Sequence, residues 1–289
     1  MKREIIIVTK DFKQLKATEF HPATANGATL IINSAMAVKQ FFYADYAAYM
    51  ADEGFHVITY DYRGIGKSKS HRVTQFDASI LDWATLDYEA VLQYAKESHP
   101  KNTITVLGHS IGGQLIGFSP RSLMVNQMML VASQTPNWRN YKLKTMPKLL
   151  MLWYFLIPVF TRIFRFFPAR ALGLFENLPK SAALQWMRWA RSRNYAFDEC
   201  PEKRKVFESL QQPAWIISFT DDPYAPKKAV DDLLTYYKNL QIEHQHIDPE
   251  DIAMDSIGHF GFFKKRFKNT LWISSADWIR RNGKLKMAI

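Results

Sequence analysis

Apolar and polar positions alternate along this chain in a rhythm that predicts strands and helices in turn. Short apolar runs rich in β-branched residues predict strands at 5–8, 13–20, 28–33, 56–61, 102–107, 127–132, 214–219 and 241–247. Segments with helical spacing are expected at 40–51, 82–98, 227–238 and 269–281. Strands that alternate with helices at this spacing predict βαβ units and a mostly parallel sheet flanked by helices.

The rhythm breaks between residues 136 and 212. That stretch holds helical segments rich in Leu, Phe, Trp and Arg, punctuated by Pro147, Pro158, Pro168, Pro179 and Pro201. The sheet cannot be completed without strands from both sides of this stretch. We therefore expect an α/β core formed by residues 1–135 and 213–289, with residues 136–212 inserted as a helical cap.

Length and composition are those of a folded protein with a large core, since 47% of the 289 residues are hydrophobic. The single cysteine, Cys200, allows no intrachain disulfide and fits a reducing compartment. The longest apolar run, 149–160, has 12 residues and contains Pro158, whereas a membrane span needs about 20 residues. We expect a cytoplasmic protein.

Charge is distributed unevenly around the net value of +11. Residues 136–213 carry 14 Lys or Arg against 5 Asp or Glu, and residues 263–289 carry 8 against 1. A basic insertion and tail on a mildly acidic body indicate either an anionic partner or a solvated basic face.

The segment Gly108-His109-Ser110-Ile111-Gly112-Gly113 carries the strongest chemical signal. It places a serine between two glycines directly after a predicted strand, where a strained turn into a helix would expose the hydroxyl. Chance alone yields such a Gly-x-Ser-x-Gly in a chain of this length about one time in ten. An ordinary Gly-rich loop is therefore the alternative, and the rest of the chain must decide.

A serine hydroxyl becomes a nucleophile when a histidine takes its proton and a carboxylate orients that histidine. Asp221-Asp222 follows the predicted strand 214–219, and His259 follows the last predicted strand. Taken singly, the aspartates could cap a helix and the histidine could be structural. Together with Ser110 they lie at three strand ends in the order Ser, Asp, His, which favours a hydrolase.

At these residues the chain resembles the α/β-hydrolase superfamily over nearly its full length. The shared marks are Asp61–Ser68, Gly108–Gly113 and Gly258–Phe263. It also resembles a poorly characterised bacterial group of predicted hydrolases with a helical cap, through Leu178-Pro179-Lys180, Gln185-Trp186, Trp189 and Thr220-Asp221-Asp222-Pro223.

The resemblance implies roles for particular residues and implies no cofactor and no metal. Ser110 would be the nucleophile, His259 the base and acid, and one of the aspartate pair the orienting carboxylate. Superfamily members usually carry this acid four residues before a proline, which selects Asp222 over Asp221. The backbone N–H groups of Ile111 and of Met36 or a neighbour would form the oxyanion hole, although 33–38 lacks the usual His-Gly-rich pattern.

Aromatic residues of the insertion could line an apolar acyl pocket, and we expect Trp153, Phe164, Trp186 and Trp189 there, although most could instead pack the cap onto the sheet. Arginines beside an apolar stripe also suit peripheral contact with anionic lipid.

Weaker signals are His244-x-His246 with Asp248, interpreted as strand surface, and Gly64-x-Gly66, which lacks a phosphate-binding fingerprint. Without a recognised module, we expect no nucleic-acid partner, and nothing in the sequence indicates an oligomeric state.

The function these residues favour is a serine hydrolase that cleaves a small-molecule carboxylic ester or thioester through an acyl-enzyme, with an apolar acyl group. An acyltransferase, a carbon–carbon hydrolase or a peptidase could use the same three residues. A non-catalytic ligand-binding protein on this scaffold is the alternative from a different class, and it would be expected to lack one of the three.

Overall fold

A computed structural model describes residues 1–69 and 76–285 of the chain. Ten strands are described: β1 (Lys2–Val8), β2 (Gln14–Phe20), β3 (Ala28–Asn33), β4 (His56–Tyr60), β5 (Thr103–His109), β6 (Gln127–Val131), β7 (Phe166–Phe167), β8 (Leu178–Pro179), β9 (Pro213–Phe219) and β10 (Gln241–Ile247). Eight of them form one sheet in the order β1-β2-β4-β3-β5-β6-β9-β10. The mostly parallel sheet expected from the sequence is confirmed, because only the β1-β2 and β2-β4 pairs in it are antiparallel.

Helices flank the sheet. The α-helical segments are α1 (Ala44–Asp52), α2 (Ile80–Asp82), α3 (Glu89–Ser98), α4 (Ile111–Phe118), α5 (Met146–Met151), α6 (Ile157–Phe164), α7 (Lys180–Arg191), α8 (Arg204–Ser209), α9 (Lys227–Leu234), α10 (Gly258–Gly261) and α11 (Ile273–Leu285). Wide π-helical turns at Trp83–Tyr88 and Leu152–Leu156 join α2 to α3 and α5 to α6.

Burial follows the sequence pattern. Every residue of β3 and β6 is buried, as their continuous apolar runs require of strands covered on both faces. The edge strand β10 carries Glu243, His244 and His246 and is largely exposed, which protects an open sheet edge from pairing with other chains.

The predicted insertion, 136–212, supplies no strand to the main sheet among the described residues. Its flanking strands β6 and β9 pair directly in parallel, with Met128 opposite Ala214 and Val131 opposite Ile217. The insertion contains α5 to α8 and also a small two-stranded sheet, β7-β8, so it is mainly but not wholly helical.

One long helix dominates the insertion. It runs from Met146 to Phe164 through α5, the π-turn and α6, and by length and composition it could cross a membrane. Only 22% of its apolar window is buried inside the protein. Proline removes one helical hydrogen bond and clashes with the carbonyl four residues earlier, and the wide turn just before Pro158 makes room for its ring.

The parallel strands all end at the same edge of the sheet. Asn33 ends β3, His109 ends β5, Val131 ends β6 and Phe219 ends β9. Loops after such strand ends are where folds of this kind build their sites.

Candidate active site

Ser110 stands at the strained turn between β5 and α4. Its backbone has φ 54° and ψ −118°, an unusual conformation for a residue with a side chain that is tolerated at functional turns. A Cβ on Gly108 would lie 2.3 Å from the Gly113 nitrogen, and one on Gly112 would lie 2.2 Å from the Asn33 oxygen. The glycines are therefore needed for the turn to close, as the sequence predicted.

Backbone hydrogen bonds hold this turn in place. The Ser110 N–H donates to the Val131 carbonyl over 3.0 Å, and the Gly113 N–H donates to the Ser110 carbonyl over 3.1 Å. In the described part of the chain, the Ile111 N–H has no protein acceptor, as expected at the first position of a helix. This N–H is free for an anionic oxygen beside Ser110.

Asp222 lies in the loop after β9 and contacts His259. Its Oδ2 is 2.8 Å from the His259 Nδ1, and its Oδ1 accepts the N–H groups of Tyr224 and Ala225 over 2.7 and 2.9 Å. Both the Asp222 and His259 side chains are buried. A carboxylate held in this way keeps a proton on Nδ1 and leaves Nε2 as the basic nitrogen.

Asp221 has a different task. Its carboxylate accepts the Ile257 N–H over 2.8 Å and the Gly258 N–H over 2.9 and 3.0 Å, so it holds the start of the segment that carries His259. The geometry therefore separates the two aspartates: Asp222, which the resemblance selected, contacts the imidazole, and Asp221 anchors the backbone.

His259 follows the last strand of the sheet and lies in the four-residue helix α10, Gly258–Gly261. Gly258 begins it with φ 62°, a conformation that glycine adopts without a Cβ clash. The turn packs against the site through the ring of Tyr224, 5.6 Å from the His259 ring.

Ser110 and His259 lie at the same strand edge, but no hydrogen bond joins their side chains among the described residues. They are brought together through His109, whose Nε2 lies 2.8 Å from the His259 carbonyl oxygen. The two imidazole rings are 5.1 Å apart. Hydrogen bonds between a nucleophile and its base are often loose until substrate binds.

A buried polar chain runs from His109 to the loop after β3. The Tyr43 hydroxyl lies 2.8 Å from the His109 Nδ1 and also accepts the Ala35 N–H over 2.8 Å. Since His109 must donate its Nε2–H to the His259 carbonyl, its Nδ1 accepts the Tyr43 O–H. Burial and the nearby His259 push the pKa of His109 well below its usual range, so the ring stays neutral.

We call this chain of Ala35, Tyr43, His109 and the His259 carbonyl the Tyr43 relay. Sequence reasoning missed it, because His109 stood only at a variable position of the serine motif. The nearest signal was a polar ring beside the serine, at the end of the strand β5.

The relay narrows the choice of second oxyanion donor. It consumes the Ala35 N–H, whereas the Met36 N–H has no protein acceptor in the part of the chain that is described. Met36 lies in a turn closed by the Val38 N–H and the Ala35 carbonyl at 3.1 Å, with Ala37 at φ 62°. Met36 and Ile111 therefore both have an N–H group without a protein acceptor among the described residues, and their role as oxyanion donors stays a prediction.

A cleft of about 690 Å³ opens between the loop after β9 and the insertion. Asp222 and Tyr224 lie on one wall. The insertion contributes five leucines and three lysines to the lining. They are Leu149, Leu152, Leu156, Leu172 and Leu174, with Lys142, Lys144 and Lys148.

The four aromatic residues predicted for a pocket lie elsewhere. Trp153 packs edge-on against Trp186 with ring centres 4.5 Å apart, and Trp189 stacks on Phe118 at 5.0 Å. Phe164 is 45% exposed on the outer surface. None of the four lines the cleft beside Asp222, because packing of the insertion takes up the tryptophans.

The Asp61–Ser68 segment is a structural brace. Asp61 accepts the N–H groups of Gln40 and Lys67, each over 2.8 Å, and burial raises the pKa of this carboxyl. Arg63 pairs with Asp11 and Asp87 at 2.7 and 2.6 Å. The segment thus ties the β1-β2 hairpin to the sheet.

Two clusters that contain histidines were considered as possible metal sites. His244 and His246 share one face, and both contact the Ser218 hydroxyl, at 2.9 and 2.8 Å. A second group, Glu19 with His56 and His99, brings its ligand atoms within 4.8 Å of one another and could hold an ion. Glu19 is already engaged by the Arg3 guanidinium at 2.9 Å, and sequence spacing gave no sign of this group.

Comparisons with known proteins agree with this architecture. A family model described as "Serine aminopeptidase, S33" matches residues 24–162, just under half of the chain. No curated protein sequence matches.

Solved structures of similar fold include an esterase of Pyrococcus furiosus, with TM-score 0.63 and 14% identity, covering 98% of this chain and 91% of its own. An esterase from Exiguobacterium antarcticum has TM-score 0.59 and 15% identity, covering 95% and 100%. An α/β-hydrolase from Penicillium has TM-score 0.66 and 16% identity, covering 98% and 99%.

An eight-stranded, mostly parallel sheet with a serine at a glycine-lined turn after β5 defines a hydrolase of the α/β class. The family match and the solved structures agree that the chain has the α/β-hydrolase fold, which is the fold that its motifs led us to expect.

Proposed function

We propose that the protein is a serine hydrolase that cleaves a carboxylic ester or thioester through an acyl-enzyme intermediate. The observation that carries the proposal is the 2.8 Å contact between the His259 Nδ1 and the Asp222 Oδ2, at the strand edge where Ser110 occupies its strained turn. The family match and the esterase neighbours support a hydrolase of this general kind.

Each residue has a defined part in the reaction. The Ser110 Oγ attacks the substrate carbonyl carbon while its proton passes to the His259 Nε2, and Asp222 stabilises the resulting imidazolium. The carbonyl oxygen becomes an oxyanion that accepts the N–H groups of Ile111 and Met36. The bond to the leaving alcohol or thiol then breaks as His259 returns the proton to it. Water repeats the sequence on the acyl-enzyme and frees the acid.

We place the acyl group of the substrate in the cleft next to Asp222, whose lining residues include neither Ser110 nor His259. Five leucines line it beside Asp222, and burial of each methylene group of an acyl chain would contribute about 0.8 kcal/mol to binding. The wall opposite Asp222 belongs to residues 136–212, so we propose that this insertion acts as the cap that selects substrate.

A peptidase is the second candidate, because the matched family carries the description of a serine aminopeptidase. Such an enzyme must hold the positive amino terminus of its substrate. Asp221 and Asp222 are the acidic residues lining the cleft, and both are engaged by protein groups, while Lys142, Lys144 and Lys148 add positive charge. The electrostatics of the cleft favour an ester over an amino-terminal peptide.

A cytoplasmic location is part of the proposal. Cys200 is buried and unpaired, and burial raises the pKa of its thiol to about 12. A protonated thiol of this kind is inert and has no disulfide to lose in a reducing compartment.

The test is a turnover series with p-nitrophenyl esters of increasing acyl length, set beside aminoacyl p-nitroanilides. We expect ester hydrolysis that increases with acyl length and is lost in Ser110→Ala and His259→Ala. Turnover of the anilides at rates above those of the esters would favour the peptidase. Preference for the acetyl ester would contradict an apolar acyl site.

A further inference from the structure

The helix Met146–Phe164 turns an apolar face to solvent. We name Met151, Tyr154, Phe155, Ile163 and Phe164 its exposed apolar face, and between 45% and 64% of each of these residues is exposed. Several large apolar side chains exposed along one helix and accompanied by charged residues are typical of an interaction site. The face therefore marks a surface for a partner.

Basic residues lie on this helix and in the segments that flank it along the chain. Lys144, Lys148, Arg162, Arg165 and Arg170 are all exposed, and we name them the basic rim. None of the five forms a salt bridge with an acidic residue within 1–69 and 76–285. Their charge is left to meet an external anion, which argues against a second copy of this equally basic chain as the partner.

The opposite side of the helix is fixed to the protein. Trp153, Ile157 and Thr161 are buried, and the helix contacts α7. A helix with one packed side and one exposed apolar side, flanked by Lys and Arg, lies in the plane of a membrane surface and does not cross it.

The same helix forms a wall of the cleft. Leu149 and Leu156 line it, as do Leu172 and Leu174, which are 42% and 36% exposed. A partner surface that covered the exposed apolar face would also lie against the opening of the cleft. An apolar acyl chain could then pass from the partner surface into the cleft without entering water.

We propose that the exposed apolar face and the basic rim dock the protein on an anionic lipid surface and that the cleft takes its substrate from that surface. The source of the substrate rests on the proposed function, whereas the docking does not. Apolar side chains enter the interface, and the cations meet lipid headgroups.

The experiment is co-sedimentation of the full chain with vesicles of phosphatidylcholine alone and with vesicles containing phosphatidylglycerol as well. We expect binding to the anionic vesicles that weakens as salt is raised. The double variant Lys148→Glu/Arg162→Glu should bind at least about 25-fold more weakly, at about fivefold for each cation lost. Phe155→Ser/Ile163→Ser should lose about tenfold or more.

The matched control is Lys205→Glu/Lys264→Glu, which changes the net charge equally at exposed positions away from the helix. It should retain most of the binding. Circular dichroism of all variants checks that they fold. The helix should persist, because Glu is about as good a helix former as Lys or Arg, and Ser is similar to the Phe and Ile that it replaces.

Three results would overturn the inference. They are equal binding to neutral and anionic vesicles, equal losses in the control and rim variants, and resistance of the bound protein to alkaline carbonate, which would show an inserted span. Conversion of a dimer to a monomer by Phe155→Ser/Ile163→Ser with vesicle binding intact would assign the face to a second copy instead. Ser110→Ala should still bind vesicles although it should not turn over esters. Vesicle binding therefore tests the docking proposal independently of the proposed hydrolase activity.

Discussion

The variant Asp222→Asn tests whether Asp222, and not the adjacent Asp221, orients the His259 imidazole. In Asp222→Asn the amide oxygen is drawn to the Tyr224 and Ala225 N–H groups, which now hold Oδ1 at 2.7 and 2.9 Å. The amide nitrogen then faces the His259 Nδ1, 2.8 Å away. A donor at that place forces Nδ1 to accept, which moves the ring proton to Nε2.

The size of the effect follows from that shift of tautomer. With a proton on Nε2, His259 cannot take the proton of Ser110, and a wrong tautomer in a serine triad costs about 10⁴-fold in rate, or about 5.5 kcal/mol. Asp221→Asn keeps one oxygen for the Ile257 and Gly258 N–H groups. It should cost about 1–2 kcal/mol of stability and no more than about tenfold in rate.

The assay is the second-order rate of labelling by a fluorophosphonate, which reports the nucleophile without knowledge of the substrate. The Asp221→Asn variant serves as the matched control, since it makes the same change one residue away. Labelling of Asp222→Asn within tenfold of the unaltered protein, or equal losses in both variants, would refute the assignment of Asp222.

Three further predictions concern the scaffold. Tyr43→Phe breaks the Tyr43 relay and leaves buried groups unpaired, which should cost about 2 kcal/mol in urea unfolding and slow fluorophosphonate labelling about tenfold; an unchanged labelling rate would count against a positioning role. Gly112→Ala sets a Cβ 2.2 Å from the Asn33 oxygen and should cost about 3 kcal/mol or more, so an unchanged melting temperature would contradict the packed elbow. The Arg63 guanidinium lowers the pKa of Asp11 from 3.8 to about 2, so this pair stabilises the fold above pH 3.8 and the contribution is lost as pH falls towards 2. Without screening, this shift in pKa corresponds to about 2.5 kcal/mol of unfolding free energy, which solvent screening reduces to about 1 kcal/mol because Asp11 is 37% exposed. When the unfolding free energy is measured against pH, the values for Asp11→Asn and for the unaltered protein should converge near pH 2.

The sheet could be predicted from the sequence because its strands bury continuous apolar runs. The runs at 28–33 and 127–132 required cover on both faces, and the serine motif after β5 required a strand that delivers it. Strand order could not be derived this way, since β6 and β9 pair across an insertion of more than seventy residues and nothing local specifies that contact.

The site was predicted in part. Turn chemistry and chain order pointed to Ser110, the aspartate pair and His259. They could not assign Asp221 and Asp222 to separate tasks, because both precede the same helix and differ only in which N–H groups reach them. The Tyr43 relay was out of reach, as it joins residues 66 and 150 positions apart.

The insertion was the hardest part to predict. Its aromatics looked like a pocket lining, yet packing between helices has the first claim on large flat rings. The apolar run 149–160 was judged too short to span a membrane, whereas the helix that contains it has 19 residues. The π-turn that accommodates Pro158 leaves no clear periodic signal from which this length could be predicted.

The role of Ser110 as nucleophile is tested by reacting the folded protein with a fluorophosphonate and locating the adduct by peptide mass spectrometry. We expect one adduct, on the Ser110 Oγ, that is absent from Ser110→Ala and strongly reduced in His259→Ala. A native protein that stays unlabelled, or a Ser110→Ala variant that labels equally well, would contradict it.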